Sequence, residues 1–202
     1  TTLLNIISGL LKPDSGSVSV VGNIGYVFQG DSLLSWRNVL ENIVLSKEIS
    51  NSINRDVILE ANNLIDKFGL NKFSKSYPSE ISGGMKQKVV LARTLLQNPD
   101  IILFDEPFSA IDFDSRLKMV SDVRKLITST NKCAVFVTHN IEEAISISDK
   151  IMVLGGSPTG VLFKSDINIS ENERDPEKIR KLEKFDNLFS EIFSILSKQN
   201  NE

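Results

Sequence analysis

Blocks of apolar and polar residues along the chain predict helices and strands in alternation. From residue 84 onward the expected order is a helix to about residue 97, a strand in DIILFDEP, a helix over about 113–129, a strand in CAVFVTH, a helix over about 141–147 and a strand in KIMVLGG. Residues 101–104 are all apolar and lie between Asp100 and Asp105, which is typical of a strand buried on both faces. Strands that alternate with helices predict right-handed βαβ units and therefore an α/β fold with a parallel sheet.

The first 30 residues predict a helix and a short antiparallel β element. Residues 2–10 have helical spacing, and KPDSG at 12–16 has the composition of a turn. The segment SVSVVGNIGYVFQ predicts two short strands, with Gly22-Asn23 at the place of a tight hairpin turn.

Residues 31–80 interrupt the alternation and predict an inserted helical subdomain. Helical spacing is found over 38–46 and 54–68, and Gly69 follows the second helix as a plausible C-cap. The second helix has one apolar face, formed by Val57, Ala61, Leu64, Ile65 and Phe68.

The C-terminal segment 175–198 predicts an amphipathic helix. Asp175-Pro176 supplies a cap followed by proline at the first helical position. Its apolar stripe is made of Leu182, Phe185, Leu188, Phe189, Ile192, Phe193 and Leu196. We expect this stripe to pack against the parent domain, and a dimer contact or a lipid surface is the alternative.

Composition limits the classes of function that remain. The 202 residues carry a net charge of −3, which gives no general attraction to nucleic acid, and 41% of them are hydrophobic, enough for a sizeable core. The apolar runs are too short to cross a bilayer. The single cysteine, Cys133, excludes an internal disulfide and is expected to be a small core residue, because it leads into an apolar strand.

Two carboxylates follow the buried strand, at the edge where open parallel sheets bind ligands. Asp105 could hold a magnesium ion there, and Glu106 could orient an attacking water molecule. A strand that merely ends in acidic residues at the surface is the alternative. Gln29 and His139 also end predicted strands, in YVFQ and FVTH.

The segment ISGGMKQKVV places two glycines at the mouth of a predicted helix. A glycine inside a helix costs about 1 kcal/mol relative to alanine. Gly83 and Gly84 therefore indicate either a tight bend or a very close approach of another group to the backbone.

The ordered set of these segments resembles the ATPase subunit of ABC transporters over about residues 1–160. YVFQ is similar to the Q-loop, SGGM to the signature motif, DIILFDEP to Walker B, SAID to the D-loop and VFVTHN to the H-loop strand. The longer segments YVFQGDSLLSWRNVLENIVL, YPSEISGGMKQKVVLARTLL and LFDEPFSAIDFDSR resemble the importer branch for nitrate, sulfonates and taurine and its relatives for pyrimidine precursors of thiamine. The resemblance implies a P-loop NTPase-type core with ATP and Mg²⁺ as its ligands.

The resemblance also implies a role for each matching residue near the nucleotide. Thr1 and Thr2 are similar to the end of Walker A, so Thr1 would bind magnesium and Thr2 would lie near the α-phosphate. Asp105 would contact magnesium, and Gln29 would contact magnesium or the lytic water. Glu106 would be the general base.

The remaining roles concern the γ-phosphate and a second subunit. In this family two ATPase subunits face each other head to tail, and the signature of one closes over the ATP of the other. Ser82, Gly83, Gly84 and Met85 would make that contact, because free amides at a helix start favour negative charge. His139 would hydrogen-bond the γ-phosphate, and Asp112 would couple the two sites.

The implied organisation has four parts. A partial RecA-like core over 1–30 runs from the end of Walker A to the Q-loop, and the helical subdomain over 31–80 is followed by the signature at 81–85. The core with Walker B, D-loop and H-loop covers 86–165, and a helical tail covers 166–202. Such a subunit sits on the cytoplasmic face of the membrane and binds a permease near Leu33, Leu34 and Trp36. A solute-binding protein is an indirect partner. The alternative for Trp36 is a place in the core.

Two other functions are compatible with parts of this pattern. ATPases of chromosome maintenance and DNA repair share the signature and Walker B, but they carry long coiled coils, and no heptads appear between Gln29 and Ser82. The glycines and lysine of Walker A would precede Thr1, so we expect the 202-residue chain to be incomplete, poorly soluble and inactive alone. A non-catalytic module that binds a partner is therefore the second alternative.

Overall fold

The computed structural model describes residues 1–109, 111–130 and 132–199. Its internal contacts divide the chain into two compact units. The first unit comprises Thr1–Asp112 and Thr130–Val137, and the second comprises Phe113–Ser129 and Thr138–Glu202. The two units are described separately below.

A three-stranded parallel sheet forms the centre of the first unit. Its strands are β1 (Ile24–Val27), β2 (Ile101–Asp105) and β3 (Cys133–Val137), in the order β1-β2-β3. The central strand is buried from Ile102 to Asp105, as its unbroken apolar run predicts. The rings of Phe104 and Phe136 stack across β2 and β3 with their centroids 4.1 Å apart. The predicted parallel α/β fold is therefore confirmed.

Four helices belong to the first unit: α1 (Thr2–Ile7), α2 (Val39–Ile49), α3 (Arg55–Lys67) and α4 (Gly83–Leu95). Short 3₁₀ turns cover Asn71–Phe73 and Pro78–Glu80. Helices α2, α3 and α4 contact one another, and α3 buries Ala61 and Ile65 on its apolar face. Residues 31–80 thus have the helical character that their sequence spacing predicts.

The predicted hairpin at Gly22-Asn23 is wrong. Residues 17–21 form no strand, and β1 pairs with β2 in parallel rather than with a preceding strand. The Asn23 backbone N–H donates to Oδ2 of Asp100 at 2.7 Å, and its carbonyl accepts from the N–H of Ile101 at 3.1 Å. These bonds hold the Gly22-Asn23 segment against the start of β2, 77 residues away in sequence. The two residues therefore make a long-range contact and not a hairpin turn.

The second unit contains α5 (Phe113–Thr130), α6 (Ile141–Ile147), α7 (Pro176–Ile179) and α8 (Glu183–Gln199), with a 3₁₀ turn at Glu171–Glu173. Strands β4 (Lys150–Gly155) and β5 (Gly160–Asp166) form an antiparallel pair. This pair is the short antiparallel element of the fold, although the sequence pattern placed that element near residue 22. No helix of the described ranges is both long enough and apolar enough to cross a membrane.

The C-terminal stripe packs into the core of the second unit, as its pattern predicts. Phe185 and Ile192 are buried with Ile145, Ile151 and Ile179, and most other members of the stripe pack against this cluster. Phe193 is the exception, at 57% exposure. The segment forms two helices rather than one, because the chain leaves the helical path between α7 and α8.

Cys133 is exposed, so its predicted place in the core is wrong. It is the first residue of β3, which lies at an edge of the three-stranded sheet. Its backbone N–H donates to the Asp100 carbonyl at 3.2 Å.

Candidate functional site

Asp105 and Thr1 lie in direct contact at the carboxyl end of β2. The Asp105 side chain is buried, at 3% exposure, and its Oδ2 accepts a 2.7 Å hydrogen bond from the hydroxyl of Thr1, which precedes α1. Its second oxygen, Oδ1, is buried and accepts no hydrogen bond from the described residues, and the terminal ammonium of Thr1 lies 3.6 Å from it. A buried carboxylate oxygen left unpartnered is costly, and the pair of a carboxylate with a hydroxyl is a suitable donor set for a magnesium ion.

Asn5 and Tyr26 extend this polar cluster, and the sequence patterns did not identify either of them. The Tyr26 hydroxyl on β1 donates to Oδ1 of Asn5 at 3.0 Å. Burial raises the pKa of the Tyr26 hydroxyl, and the negative charge of Asp105 raises it further. Asn5 lies four residues after Thr1 and therefore on the same side of α1, which is the signal that could have revealed it.

Glu106 has a strained backbone. Its φ angle is +47°, in the left-handed region that costs a residue with a side chain about 1–2 kcal/mol. The surrounding bonds hold it there: its N–H donates to the Val137 carbonyl at 2.9 Å, and the hydroxyl of Ser109 donates to its carbonyl at 3.0 Å. Such strain is found where function needs a side chain in an otherwise unfavourable direction.

Gln29 lies two residues beyond the end of β1 and is exposed. Because β1 and β2 are parallel, with Val27 opposite Phe104, Gln29 follows the same edge of the sheet that carries Asp105 and Glu106. Thr2 is exposed at the first position of α1. Within the described ranges no three His, Cys, Asp or Glu side chains converge on one point, so a metal ion here would depend on hydroxyl, amide and ligand oxygens.

The two glycines of the signature lie inside α4 and make no bend. Neither Gly83 nor Gly84 has a positive φ angle, and Ser82 caps the helix by accepting from the N–H of Met85 at 3.3 Å. Among the described residues, a Cβ atom at Gly84 would meet only Cγ2 of Ile111, at 4.0 Å. The described residues around Gly84 therefore leave room for a side chain at this position.

Asp112 and His139 are both exposed, and they fall in different units. Asp112 directly precedes α5, and residue 110 of the same SAID segment lies outside the described residues. His139 lies in the turn between β3 and α6, in the second unit. The first unit thus brings together Thr1 and Asp105 and places Glu106 and Gln29 at the same sheet edge.

The family of the chain follows from its similarity to known sequences. The sequence model described as "ABC transporter" matches residues 1–109, and the fold has the parallel sheet and flanking helices of that class. The chain belongs to the ABC transporter family of ATP-binding proteins, which confirms the resemblance seen in its motifs.

Individual relatives share much of the chain. The ABC transporter ATP-binding protein YtlC of Bacillus subtilis is 42% identical over 166 residues, which cover 78% of this chain and 64% of YtlC. The taurine import protein TauB of Rhizobium johnstonii is 35% identical and the nitrate import protein NrtD of Synechocystis is 32% identical, each over 97% of this chain. The chain spans 79% of that TauB and 78% of NrtD but less than two thirds of YtlC.

Solved structures share the fold. The ATP-binding cassette MJ0796, a dimer in a post-hydrolysis state with ADP and Pi, aligns with a TM-score of 0.70 and 28% identity over 84% of this chain and 81% of its own. A metal-chelate type ABC transporter in an inward-facing conformation aligns with a TM-score of 0.71 and 26% identity over 82% of this chain and 66% of that one.

Proposed function

We propose that this protein is the ATP-binding and ATP-hydrolysing subunit of an importer for a small solute of the nitrate, sulfonate or taurine type. The observation that carries the catalytic part is the Thr1–Asp105 hydrogen bond beside a buried carboxylate oxygen that accepts no hydrogen bond from the described residues, with Glu106 next in the chain. The solute class rests on the taurine and nitrate import proteins named above, whose alignments each cover 97% of the chain.

Thr1, Asp105 and Gln29 are the residues that would hold Mg²⁺ with the nucleotide. The bound ion would neutralise negative charge on the phosphate oxygens. The Oδ1 atom of Asp105 supports this role, because this buried oxygen accepts no hydrogen bond from the described residues and could bind a cation or one of its water molecules. Thr2 would lie beside the α-phosphate.

Glu106 would act as the general base and accept a proton from the attacking water. Its left-handed backbone sets the direction of the carboxylate independently of Asp105, although the two residues are adjacent. His139 would donate a hydrogen bond to the γ-phosphate. The two neighbouring acids would thus have different roles: Asp105 would bind the metal ion and Glu106 would accept the proton.

The signature helix would contact the nucleotide of a second copy of the subunit. The start of α4 presents the Ser82 hydroxyl and the backbone amides of Gly83, Gly84 and Met85. The N-terminus of a helix favours the binding of phosphate groups. Because Gly84 is not needed for packing in its own unit, the absent side chain supports a contact made across the dimer. Asp112 would couple the two sites.

The transmembrane partner would bind near Trp36. That side chain is 71% exposed, which contradicts the alternative that Trp36 is a core residue. We place the subunit on the cytoplasmic face of the membrane, bound to a permease there and served by a solute-binding protein that it does not touch.

Hydrolysis of MgATP by the full-length protein is the test of this function. The Glu106→Gln variant should bind ATP but hydrolyse it at least about 100-fold more slowly, because an amide cannot accept the proton. It should also accumulate as an ATP-bound dimer in gel filtration. Binding without hydrolysis by the unmodified protein would favour the non-catalytic partner module, and an active Glu106→Gln variant would remove Glu106 from the role of base.

A further inference from the structure

Short-range hydrogen bonds close the turn that carries His139 on both sides of that residue. The hydroxyl oxygen of Thr138 accepts from the backbone N–H of Asn140 at 3.1 Å. The side-chain oxygen of Asn140 accepts from the backbone N–H of Glu143, also at 3.1 Å, and so caps α6. A hydroxyl that accepts from the N–H two residues later fixes a local turn, so the backbone on each side of His139 is held.

The carboxylate of Glu143 joins these bonds into one network. Glu143 lies in the first turn of α6 and is 8% exposed. Its Oε2 accepts from the Thr138 hydroxyl at 2.8 Å, and its Oε1 lies 3.6 Å from Nη1 of Arg116 on α5. The Thr138 hydroxyl is thus used twice, as donor to Glu143 and as acceptor from Asn140, which fixes its orientation.

The position of Arg116 extends the network to a second motif. Arg116 is in the first turn of α5, the helix that starts at Phe113 immediately after Asp112. A buried carboxylate must be compensated by donors or by positive charge, and here the donors come from the His139 turn and from this helix. Glu143 therefore ties the turn that bears His139 to the helix that follows Asp112.

We infer that Glu143 is a positioning residue that holds the His139 turn in a fixed conformation and in register with the start of α5. The inference rests on the proposed function, which gives His139 and Asp112 their roles at the nucleotide. Glu143 itself does not touch the nucleotide, because its carboxylate is occupied by Thr138 and Arg116. It would act by keeping the imidazole of His139 where the γ-phosphate needs it.

Steady-state kinetics on the full-length protein test this role. Glu143→Ala and Thr138→Val should each lower kcat for MgATP about tenfold, since a small displacement of a reacting group has this effect, and leave KM for ATP within about twofold. Thr138→Ser keeps the hydroxyl and should restore the rate. The double variant Glu143→Ala/Thr138→Val should be no slower than either single one, because both changes break the same network.

Glu142→Ala is the matched control. Glu142 is the neighbouring residue on α6 and has the same charge, but it pairs with Arg180 instead of the His139 turn. A kcat for Glu142→Ala equal to that of the unmodified protein is expected. An equal loss in Glu142→Ala and Glu143→Ala would show that charge on α6, rather than the turn, matters, and would overturn the proposal.

Amide hydrogen exchange gives a readout that does not depend on ATP hydrolysis. The Asn140 amide should exchange about tenfold faster in Thr138→Val and in Glu143→Ala than in Glu142→Ala, because its acceptor is lost or released. If the unmodified protein has no ATPase activity but the Asn140 amide still exchanges faster in these two variants, the role of Glu143 in holding the turn is supported and the proposed function is wrong. Unchanged exchange in both variants would overturn the proposal whatever the activity.

Folding of the variants is separated from positioning by a conservative change. If Glu143→Ala unfolds, Glu143→Gln replaces it, since glutamine keeps the shape and one acceptor for Thr138 but loses the charge that faces Arg116. We expect Glu143→Gln to lie between the unmodified protein and Thr138→Val in kcat and in Asn140 exchange. Values equal to those of the unmodified protein in both Glu143→Gln and Thr138→Val would contradict the proposal.

Discussion

The hydroxyl of Thr1 donates a 2.7 Å hydrogen bond to the buried carboxylate of Asp105, 104 residues further along the chain. This bond joins the start of α1 to the end of β2, while the other carboxylate oxygen accepts no hydrogen bond from the described residues. The arrangement favours a cation as the missing partner. It also predicts an unusual response when the charge is removed.

Asp105→Asn should leave the unliganded full-length protein at least as stable as before, because the change removes a buried charge while the Thr1 hydroxyl can still donate to the amide oxygen. The stabilisation by MgATP should be lost; for a tightly bound ligand at 100 times its Kd that stabilisation is about 2.7 kcal/mol. Thermal unfolding with MgATP and with ATP plus a chelator measures both effects.

Asp100→Asn is the control, since Asp100 stands at the opposite end of β2 and its carboxylate accepts from the backbone N–H of Asn23. It should keep the stabilisation by MgATP. An equal MgATP effect in Asp105→Asn and in the unmodified protein would exclude Asp105 from metal binding.

The strain at Glu106 predicts a difference between two variants that both lack the carboxylate. Glu106→Gly should be more stable than Glu106→Ala by about 1 kcal/mol, because glycine adopts a φ near +47° without steric cost. Both should be inactive in ATP hydrolysis. Urea unfolding of the two variants measures the difference, and equal stability would mean that the backbone relaxes out of the left-handed region.

Gly84→Ala should separate folding from assembly. Of the described residues, an added Cβ meets only Ile111, at 4.0 Å, so alanine should stabilise the helix by up to about 1 kcal/mol. The ATP-driven dimer, measured by gel filtration of a Glu106→Gln background, should be weakened. Gly69→Ala is the contrasting variant: Gly69 has a φ of +68°, so alanine there should lower stability and leave the dimer intact. A normal dimer in Gly84→Ala would contradict close approach at this glycine.

Arg124 predicts part of the acid sensitivity of the second unit. Arg124 is 8% exposed, and the hydrogen bonds from its guanidinium to Asp149 (2.7 Å) and Glu171 (2.8 Å) lower the pKa of both carboxyl groups. A carboxyl pKa that is lower in the folded state gives stability that is fully present above the ordinary value near about 4 and is lost as pH falls through the lowered value.

Arg124→Met should therefore lower the free energy of unfolding at neutral pH by about 1–3 kcal/mol and flatten its decrease below about pH 4. The Arg124 bond of 2.8 Å to the Ile147 carbonyl would be lost as well. Lys150→Met removes an exposed ion pair with Asp166 and should change stability by less than about 1 kcal/mol. If the free energy of unfolding decreases equally steeply at acid pH in Arg124→Met and in the unmodified protein, Arg124 is not a source of the acid sensitivity.

Trp36→Ala should change the stability by no more than about 0.5 kcal/mol, because the indole is exposed. It should nevertheless weaken co-purification with the proposed permease partner, while ATP hydrolysis by the isolated subunit persists. Ile49→Ala, another exposed apolar residue at the end of α2, is the control and should keep the association. Equal weakening by both variants would indicate a non-specific apolar effect.

The sequence by itself determined the elements whose causes are local. The apolar run before Asp105 predicted the buried strand, and the spacing of Ala61 and Ile65 predicted the buried face of α3. The order of the short motifs was also enough to identify the family. These features depend on residues a few positions apart, and such interactions can be recognised in a linear pattern.

The tertiary structure decided the features that depend on distant partners. Asn23 bonds to Asp100 instead of closing a hairpin, and Thr1 meets Asp105, in both cases because the parallel sheet brings together segments far apart in sequence. Glu106 takes its left-handed backbone because Val137 and Ser109 hold it there. A local pattern contains no information about such partners, since the same residues adopt other conformations when the neighbouring strand or helix differs.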